Sequence, residues 1–346
     1  MLHANRTIWL TIIAAIAILS AAIAGWVYKV YCKDAIASDP VEVYITPQMP
    51  ADSLRNMLSQ TTGDITADRI ISLMNRMGFR PEQQNTRCGF FRLPASTSIY
   101  KAARRLIAGS QTPIRFTFNN IRTIDEFIDK VDRAFYMSSD SLSALISNTE
   151  TCTAFGFDTA TIAAMFIPDT YEFYWTVKPE AFLKRMNSYY NRFWTDERKA
   201  LARKAGLSPV EVSILASIVE EETAKKDEMP TVAGLYLNRL QRNMPLQADP
   251  TVKFAVGDFS LRRITANHLA VESPYNTYRH TGLPPGPIRI PSQTAIDAVL
   301  HYKQHNYLYM CAKEDFSGYH NFAATLSEHN RNAARYHAAL NRLKIH

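Results

Sequence analysis

The sequence lacks most of the short motifs that identify an enzyme by themselves. Its four cysteines, Cys32, Cys88, Cys152 and Cys311, have no metal-ligand spacing, and no H-E-x-x-H motif occurs. There is also no glycine-rich phosphate loop and no G-x-S-x-G turn. Because the usual patterns of zinc enzymes, nucleotide-binding enzymes and serine hydrolases are missing, we expect neither a metal nor a cofactor.

Basic residues are in excess but are not concentrated anywhere. The chain of 346 residues has 39 Lys and Arg against 32 Asp and Glu, a net charge of +7, yet the longest basic cluster, Lys101 to Arg105, is short. A nucleic-acid-binding protein usually gathers such charge into a stripe with interleaved aromatic residues. We therefore expect no nucleic-acid partner. The charge favours a protein that works near an anionic surface, such as a membrane or an acidic polymer.

Only one long uncharged run occurs, IWLTIIAAIAILSAAIAGWV at Ile8–Val27, and its 20 residues suffice to span the hydrocarbon core of a bilayer. We expect a short cytoplasmic head at 1–6 and a single-pass transmembrane anchor at 7–28 in the cell (inner) membrane. The bulk of the chain is then on the periplasmic or extracytoplasmic side. The alternative is a cleaved signal peptide, because Ala22-Ile23-Ala24 resembles a cleavage site.

The remainder predicts an α+β protein in two parts. After a polar linker at 29–40, a small α+β module is expected at 41–118, followed by a mainly helical domain at 119–346. Strands are predicted at 41–46, 89–94 and 114–118. Helices are predicted at 51–60, 66–77, 98–109, 123–135, 180–204, 209–227, 230–242, 292–304 and 327–343.

From residue 123 onward the chain is predicted to be mostly helical, with a polar Ser/Asp stretch near 138–150. Residues 243–262 and 272–291 are long, contain proline and glycine and are predicted to be irregular. Long irregular segments inside a compact helical domain are more often functional than accidental. We expect these two segments to form a cleft.

Residues 213–228, SILASIVEEETAKKDE, place three consecutive glutamates at the end of an apolar segment. At 100° per residue, Glu222 falls on the apolar stripe and Glu220 on a face of small residues, which leaves room for a ligand as bulky as a sugar. Either carboxyl group could be desolvated. The spacing alone equally fits a glutamate-rich, solvated helix end.

The downstream motifs carry a family resemblance. Read in order with the glutamate helix, they resemble the endolytic murein transglycosylases of the YceG-like family, over roughly residues 160–335. The Glu-Gly usual ahead of the family's P-D-T-Y is replaced here by Ala163-Ala164. The matching segments are PDTYEF (168–173), SIVEEET (217–223), LQADPTV (246–252), YNTY (275–278), GLPPGPI (282–288) and GYHNF (318–322).

The resemblance implies a lytic transglycosylase, a lyase that cuts the β-1,4 bond between N-acetylmuramic acid and N-acetylglucosamine in nascent peptidoglycan strands. It would form 1,6-anhydromuramic ends and terminate strand elongation. The family's catalytic glutamate, the first of E-x-E-T, falls on Glu220, and Glu222 and Ser217 would support it. The expected substrate-binding residues are Gln247, Asp249, Tyr275, Asn276, Tyr278 and His320.

Two other functions are compatible with the same residues. A hydrolytic muramidase would need a second carboxylate, for which Asp249 is the obvious residue. A non-catalytic peptidoglycan-binding scaffold would rely on the 41–118 module, which occupies the position of the family's LysM-like domain. The expected partners are peptidoglycan glycan strands, the membrane and the cell-wall synthesis machinery.

Overall fold

The computed structural model describes residues 2–33, 35–47, 49–79, 88–261 and 263–343. They form two compact units, of which the first comprises Met1–Arg115 with Glu172–Val177 and the second comprises Phe116–Tyr171 with Lys178–His346. Helices predominate, and each unit also contains a two-stranded antiparallel pair. This confirms the predicted mixture of helices and strands.

The chain begins with the helix α1 (Leu2–Tyr28), which continues into a π-helical turn at Lys29–Lys33. Its apolar part, Ile8–Lys33, has a mean hydropathy of 2.4 and none of it is buried by the rest of the protein. By length and composition, it is the one helix in the described part of the chain able to cross a membrane. An apolar N-terminal helix was predicted, and it is confirmed.

After α1, the described residues of the first unit up to 109 form two short strands and three helices. These are β1 (Val41–Ile45), α2 (Ala51–Thr62), α3 (Asp64–Arg76), β2 (Gly89–Leu93) and α4 (Ile99–Ala108).

The strands β1 and β2 pair antiparallel, with Val43 opposite Phe91. Every second residue of β1 is buried, as the two-residue period of a strand requires. These side chains pack on Leu58 and Ile70 from the helices. Gly63 joins α2 to α3 at a φ of 79°, a left-handed conformation that favours glycine.

The next elements carry the chain to the buried helix of the second unit. They are β3 (Ile114–Thr117), α5 (Ile124–Ala134), α6 (Ser139–Ile146), α7 (Thr149–Ala154), β4 (Thr170–Phe173), α8 (Pro179–Phe193) and α9 (Asp196–Lys204).

The polar stretch at 138–150 contains two helices, α6 and α7, in keeping with the mostly helical second part. Ser138 and Asn148 do not interrupt the helices but cap them: each side chain accepts a hydrogen bond from the backbone N–H three residues later. The single predicted helix at 180–204 is likewise two helices, because Trp194 leaves the helical conformation and Thr195 caps α9.

The helix α10 (Pro209–Glu222) forms the centre of the second unit. Ser208 and Glu211 make a reciprocal capping box at its start, and all residues from Val212 to Val219 are buried. It ends earlier than predicted, because Thr223 is extended, with φ −144° and ψ 133°. The three glutamates therefore occupy the last turn of a buried helix.

The remaining elements surround α10 or follow it. They are α11 (Met229–Gln241), α12 (Asp249–Val256), α13 (Ala266–Leu269), α14 (Gln293–Leu300), β5 (Tyr309–Ala312), β6 (His320–Ala323) and α15 (Leu326–Arg342).

Residues 272–291 form neither helix nor strand, as predicted, but 243–262 contain α12. Pro250 lies in the first turn of that helix, where a missing N–H costs nothing. The hairpin of β5 and β6 was not predicted.

Candidate active site

Residues from six segments of the second unit line a cavity of about 220 Å³. We call it the acid cavity, because it contains Glu222. Five of the residues predicted from sequence lie there: Glu222, Gln247, Asp249, Tyr278 and His320. The remaining lining residues are Leu235, Tyr236, Arg239, Leu246, Met310, Cys311 and Ala312.

Glu222 is a carboxyl group with an unusual proton affinity. Burial raises its pKa to about 7, and the nearby Asp249 adds to this effect. The hydroxyl of Tyr236 donates a hydrogen bond of 2.6 Å to Oε1 of Glu222, which acts in the opposite direction. Near neutral pH a large fraction of Glu222 therefore carries a proton that it can donate.

Asp249 is an exposed carboxylate at the first turn of α12. The hydroxyl of Tyr278 donates a hydrogen bond of 2.6 Å to its Oδ1. Behind this pair, the buried hydroxyls of Thr251 and Thr277 lie 2.8 Å apart, and the Thr277 hydroxyl accepts from the backbone N–H of Ala248 at 3.0 Å. This bonding holds the start of α12 against the segment that carries Tyr278.

His320 is fixed by a buried glutamate. Its Nδ1 lies 2.9 Å from Oε2 of Glu228, and its backbone N–H donates to Oε1 at 2.7 Å. The hydroxyl of Thr223 donates to the same carboxylate at 2.9 Å. Burial alone raises the pKa of Glu228, but the hydrogen bonds from His320 and Thr223 outweigh it and hold that pKa below its usual value.

Glu220 does not line the acid cavity. Its Oε2 accepts a hydrogen bond of 2.8 Å from the backbone N–H of Ser292, and it lies 3.5 Å from Nε of Arg289. Glu221 pairs with the same arginine at 2.6 Å and with Arg122 at 3.5 Å. Both carboxylates therefore have basic partners, on a side of α10 that does not face the cavity.

Two other predicted residues tie segments together. The hydroxyl of the buried Ser217 accepts from the backbone N–H of Ile288 at 3.0 Å, so it attaches α10 to the GLPPGPI segment. The side chain of Asn276 donates to the carbonyls of Leu269 and Val271 at 3.0 and 2.9 Å and is 0% exposed. Asn276 therefore has a structural role instead of the expected substrate contact.

Tyr275 also lies away from the acid cavity. Its ring packs against Phe254 at 4.7 Å between centroids, and it lines a separate, larger cavity of about 590 Å³. Tyr278 is only three residues further along the chain and does line the acid cavity. The structure thus separates YNTY into one residue that faces the acid cavity and others that do not.

Tyr236 and Arg239 were missed by the sequence reasoning. They lie three residues apart on α11, so they share a face of that helix. Both are buried among apolar residues such as Val232 and Leu235. The sequence feature that could have identified them is a pair of hydrogen-bonding side chains on an otherwise apolar face of the helix. No group of three or more potential metal ligands occurs within the residues that the structure describes.

The comparisons identify the class to which this arrangement belongs. Residues 43–335 match the YceG-like family, and the chain therefore belongs to that family. The crystal structure of a YceG-like protein from Listeria monocytogenes has a similar fold, with a TM-score of 0.55 and 23% sequence identity. That likeness covers 85% of this chain and 99% of the Listeria chain.

Curated relatives are named endolytic murein transglycosylases. The protein of Bacillus subtilis is 37% identical over 162 residues, which are 47% of this chain and 43% of the relative. That of Streptococcus pneumoniae serotype 2 is 32% identical over 157 residues, 44% of this chain and 27% of the relative. The matches thus span less than half the length of these relatives.

Proposed function

We propose that this protein is a membrane-anchored lytic transglycosylase that cleaves glycan strands of peptidoglycan from within. The observation that carries the proposal is Glu222, a carboxyl group with its pKa raised to about 7 in a polar cavity. General acids in enzymes need a pKa near the working pH. The names of the relatives support the substrate class.

The reaction needs a single carboxyl group. Glu222 donates its proton to the oxygen that leaves the anomeric carbon of N-acetylmuramic acid, and the bond from that carbon to the oxygen breaks. The Glu222 carboxylate then takes the proton of the same sugar's 6-hydroxyl while the 6-oxygen bonds to the anomeric carbon. A 1,6-anhydro end forms, no water is consumed and Glu222 is protonated again.

Glu222 takes this role in place of Glu220, the residue that the family resemblance indicated. Glu220 accepts a hydrogen bond from the backbone N–H of Ser292, lies beside Arg289 and does not line the acid cavity. Glu222 has Tyr236, a neutral hydroxyl, as its hydrogen-bond partner and faces the cavity. The assignment of Glu220 stays an untested prediction, and the geometry favours Glu222.

Asp249 supports a second candidate, a muramidase that uses water. A second carboxylate in the same cavity is what a hydrolytic mechanism requires. In the transglycosylase mechanism, the Asp249 carboxylate instead stabilises the positive charge that develops at the anomeric carbon. Mass spectrometry of the products decides between them, because a hydrolysed end contains one water more than an anhydro end.

The test uses the purified full-length protein on peptidoglycan in water enriched in ¹⁸O. We expect anhydromuramic ends without the heavy isotope. Reducing ends that carry ¹⁸O would instead establish the muramidase. If intact strands were only bound and never cut, the protein would be a non-catalytic scaffold.

We also propose that residues 41–118 form a LysM-like, glycan-binding module and that 119–346 form the catalytic domain. The order strand–helix–helix–strand, with β1 and β2 paired, supports the first assignment. Tyr44 lies partly exposed, with its ring 4.8 Å from Phe90 and 5.2 Å from Trp175, and offers a stacking surface. Tyr44→Ser should weaken binding to sacculi, whereas Tyr100→Ser on α4 serves as the control.

The anchor completes the proposal. An uncharged helix of this length at the N-terminus supports a single-pass protein of the cell (inner) membrane with its bulk outside the cytoplasm. Confinement to the membrane suits an enzyme that terminates nascent strands, and cell-wall synthesis proteins are the partner class this implies. Cell fractionation and sequencing of the mature N-terminus test the anchor. A soluble protein that begins at Gly25 would contradict it.

A further inference from the structure

Arg239 is a buried cation in the wall of two neighbouring cavities. Arg239 is only 6% exposed. It lines both the acid cavity and a second cavity of about 260 Å³, which we call the side cavity. Gln247, Tyr278 and Met310 also line both. The two cavities are therefore separated only by a shared wall of side chains.

The guanidinium of Arg239 is only partly satisfied by the protein. Its Nε donates to the carbonyl of Leu308 at 2.6 Å, and its Nη1 donates to Pro245, Leu246 and Gln247 at 3.0, 2.9 and 3.2 Å. Within the described part of the chain, Nη2 has no hydrogen-bond partner among these bonds and no carboxylate forms an ion pair with the guanidinium. Its charge acts on Glu222 only from a longer distance. Because buried charges are normally paired directly, Arg239 offers a free donor and a positive charge to a ligand.

The side cavity suits an anionic or carbonyl oxygen. Besides the shared residues, it is lined by Tyr309, Leu326 and His329, and no lining residue is acidic. The guanidinium of Arg239 lies 5.4 Å from the centre of the Tyr309 ring, and the ring of His329 stacks on Tyr309 with 5.5 Å between the ring centroids. Arg239 therefore faces a chamber with a basic pole and an aromatic wall, which fits a short arm that ends in a carboxyl group.

We propose that Arg239 binds the carboxyl-derived oxygen of the lactyl arm on N-acetylmuramic acid, with that arm in the side cavity. This inference rests on the proposed function. Along a strand of N-acetylated sugars, the lactyl arm is the one substituent that distinguishes muramic acid from glucosamine. Because the two cavities share a wall, seating the arm next to Arg239 places the anomeric carbon of the same sugar at Glu222. Arg239 is thus the residue that selects which of the two alternating glycosidic bonds is cut.

The test compares binding of two sugar polymers by the full-length protein in detergent, with Glu222→Gln present to prevent cleavage. One ligand is glycan strands freed of peptides, and the other is an N-acetylglucosamine oligomer of equal length. We expect Arg239→Met to weaken binding of the muramic strands about tenfold or more, the effect of losing one hydrogen bond to a charged group. Binding of the glucosamine oligomer should change less than about twofold, within the range of a near-neutral contact.

Arg242→Met is the matched control, since Arg242 lies one turn further along and is exposed. It should leave both affinities unchanged. An equal loss for both polymers after Arg239→Met would assign Arg239 to a group that both sugars carry and would overturn the proposal. Unchanged binding of the muramic strands would overturn it as well.

Two further variants keep the proposal testable if Arg239→Met does not fold. Arg239→Lys keeps the charge, and His329→Leu alters the side cavity without touching the acid cavity. His329→Leu should selectively weaken binding of muramic strands, and a loss common to both polymers would contradict the proposal. The loss of affinity caused by Arg239→Met is also compared between peptide-free and peptide-bearing strands. A larger loss with peptide-free strands identifies the free carboxylate of the lactyl arm as the bound group. An equal loss identifies the carbonyl of its amide.

The outcome is separable from that of the proposed function. If the protein without substitutions forms no anhydromuramic ends, the proposed function fails whatever the binding data show. If such ends form while Arg239→Met keeps the same preference between the two polymers, only the role of Arg239 fails.

Discussion

The hydroxyl of Tyr236 donates its hydrogen to Oε1 of Glu222 over 2.6 Å, and both side chains face the acid cavity. This bond favours the ionised form of Glu222, whereas burial and Asp249 favour the neutral form more strongly. The result is a carboxyl group with a pKa of about 7. The proton of Glu222 is thus available near neutral pH.

Glu222→Gln should reduce strand cleavage by about 10² to 10⁴-fold, because an amide cannot donate the required proton. The released anhydromuramic ends are counted by mass spectrometry. Glu220→Gln is the matched comparison, with the same chemical change two residues away. It should keep most of the activity, and the opposite ranking of the two variants would return the catalytic role to Glu220.

Cleavage should fall as the pH rises through about 7, because only protonated Glu222 is an acid catalyst. The expected decline in kcat/KM is about tenfold per pH unit above the pKa. Initial rates on soluble strands between pH 5 and 9 give the profile. A rate that stayed constant from pH 6 to 9 would exclude Glu222 as the acid.

Glu222→Gln should also change how stability depends on pH. The folded-state pKa of about 7 exceeds the usual value of 4.5, so Glu222 binds more protons in the folded than in the unfolded protein between these values. Its contribution to stability is therefore complete below pH 4.5 and is lost as the pH rises through 7. Relative to the unsubstituted protein, the variant should gain up to about 3 kcal/mol between pH 5 and pH 8. Denaturant unfolding at both pH values measures the difference.

Tyr236→Phe should shift the pH profile of cleavage upward. The hydrogen bond from Tyr236 lowers the pKa of Glu222, so its loss raises that pKa above 7. The rate at pH 8 should then increase relative to the rate at pH 6. Tyr307→Phe, which alters a tyrosine outside the cavity lining, should leave the midpoint unchanged. A midpoint that moved to lower pH in Tyr236→Phe would contradict the assigned direction.

Asn276→Ala should destabilise the second unit by about 1–3 kcal/mol, since it removes two hydrogen bonds from the buried Asn276 side chain to partly buried carbonyls. Urea unfolding measures the loss. Substrate affinity in the folded variant should change little, because Asn276 does not line the acid cavity. Glu272→Ala, an exposed position in the same segment, should cost less than about 0.5 kcal/mol.

Local chemistry allowed much of the fold to be predicted. Alternating apolar residues predicted β1, and the helical period of apolar residues predicted α10 and α11, because burial of apolar side chains dominates at these positions. The individual helices α6 and α7 were not predicted, because their polar caps Ser138 and Asn148 lie in a Ser- and Asp-rich stretch without a clear apolar period.

Sequence reasoning named several side chains that the structure brings together. Asp249, Tyr278 and His320 line one cavity, and their roles as substrate-binding residues stay predictions. Helical spacing could not separate Glu220 from Glu222, because the difference is tertiary: it depends on Ser292 and Arg289, about 70 residues further along the chain. Arg239 was missed for the same reason, since its importance comes from the carbonyls that surround it.

The position of the glutamates at the end of α10 has an electrostatic consequence. The peptide dipoles of a helix place a partial negative charge at its C-terminus, which disfavours carboxylates there, and the last turn of α10 contains no basic residue. Arg289 offsets this field for Glu220 and Glu221. Glu222 has no ion-pair partner among the described residues. The positive charges of His320 and Arg239 lower its pKa, but burial outweighs them and raises that pKa to about 7. Two glutamates of the run therefore pair with an arginine, whereas the third keeps its proton up to near-neutral pH.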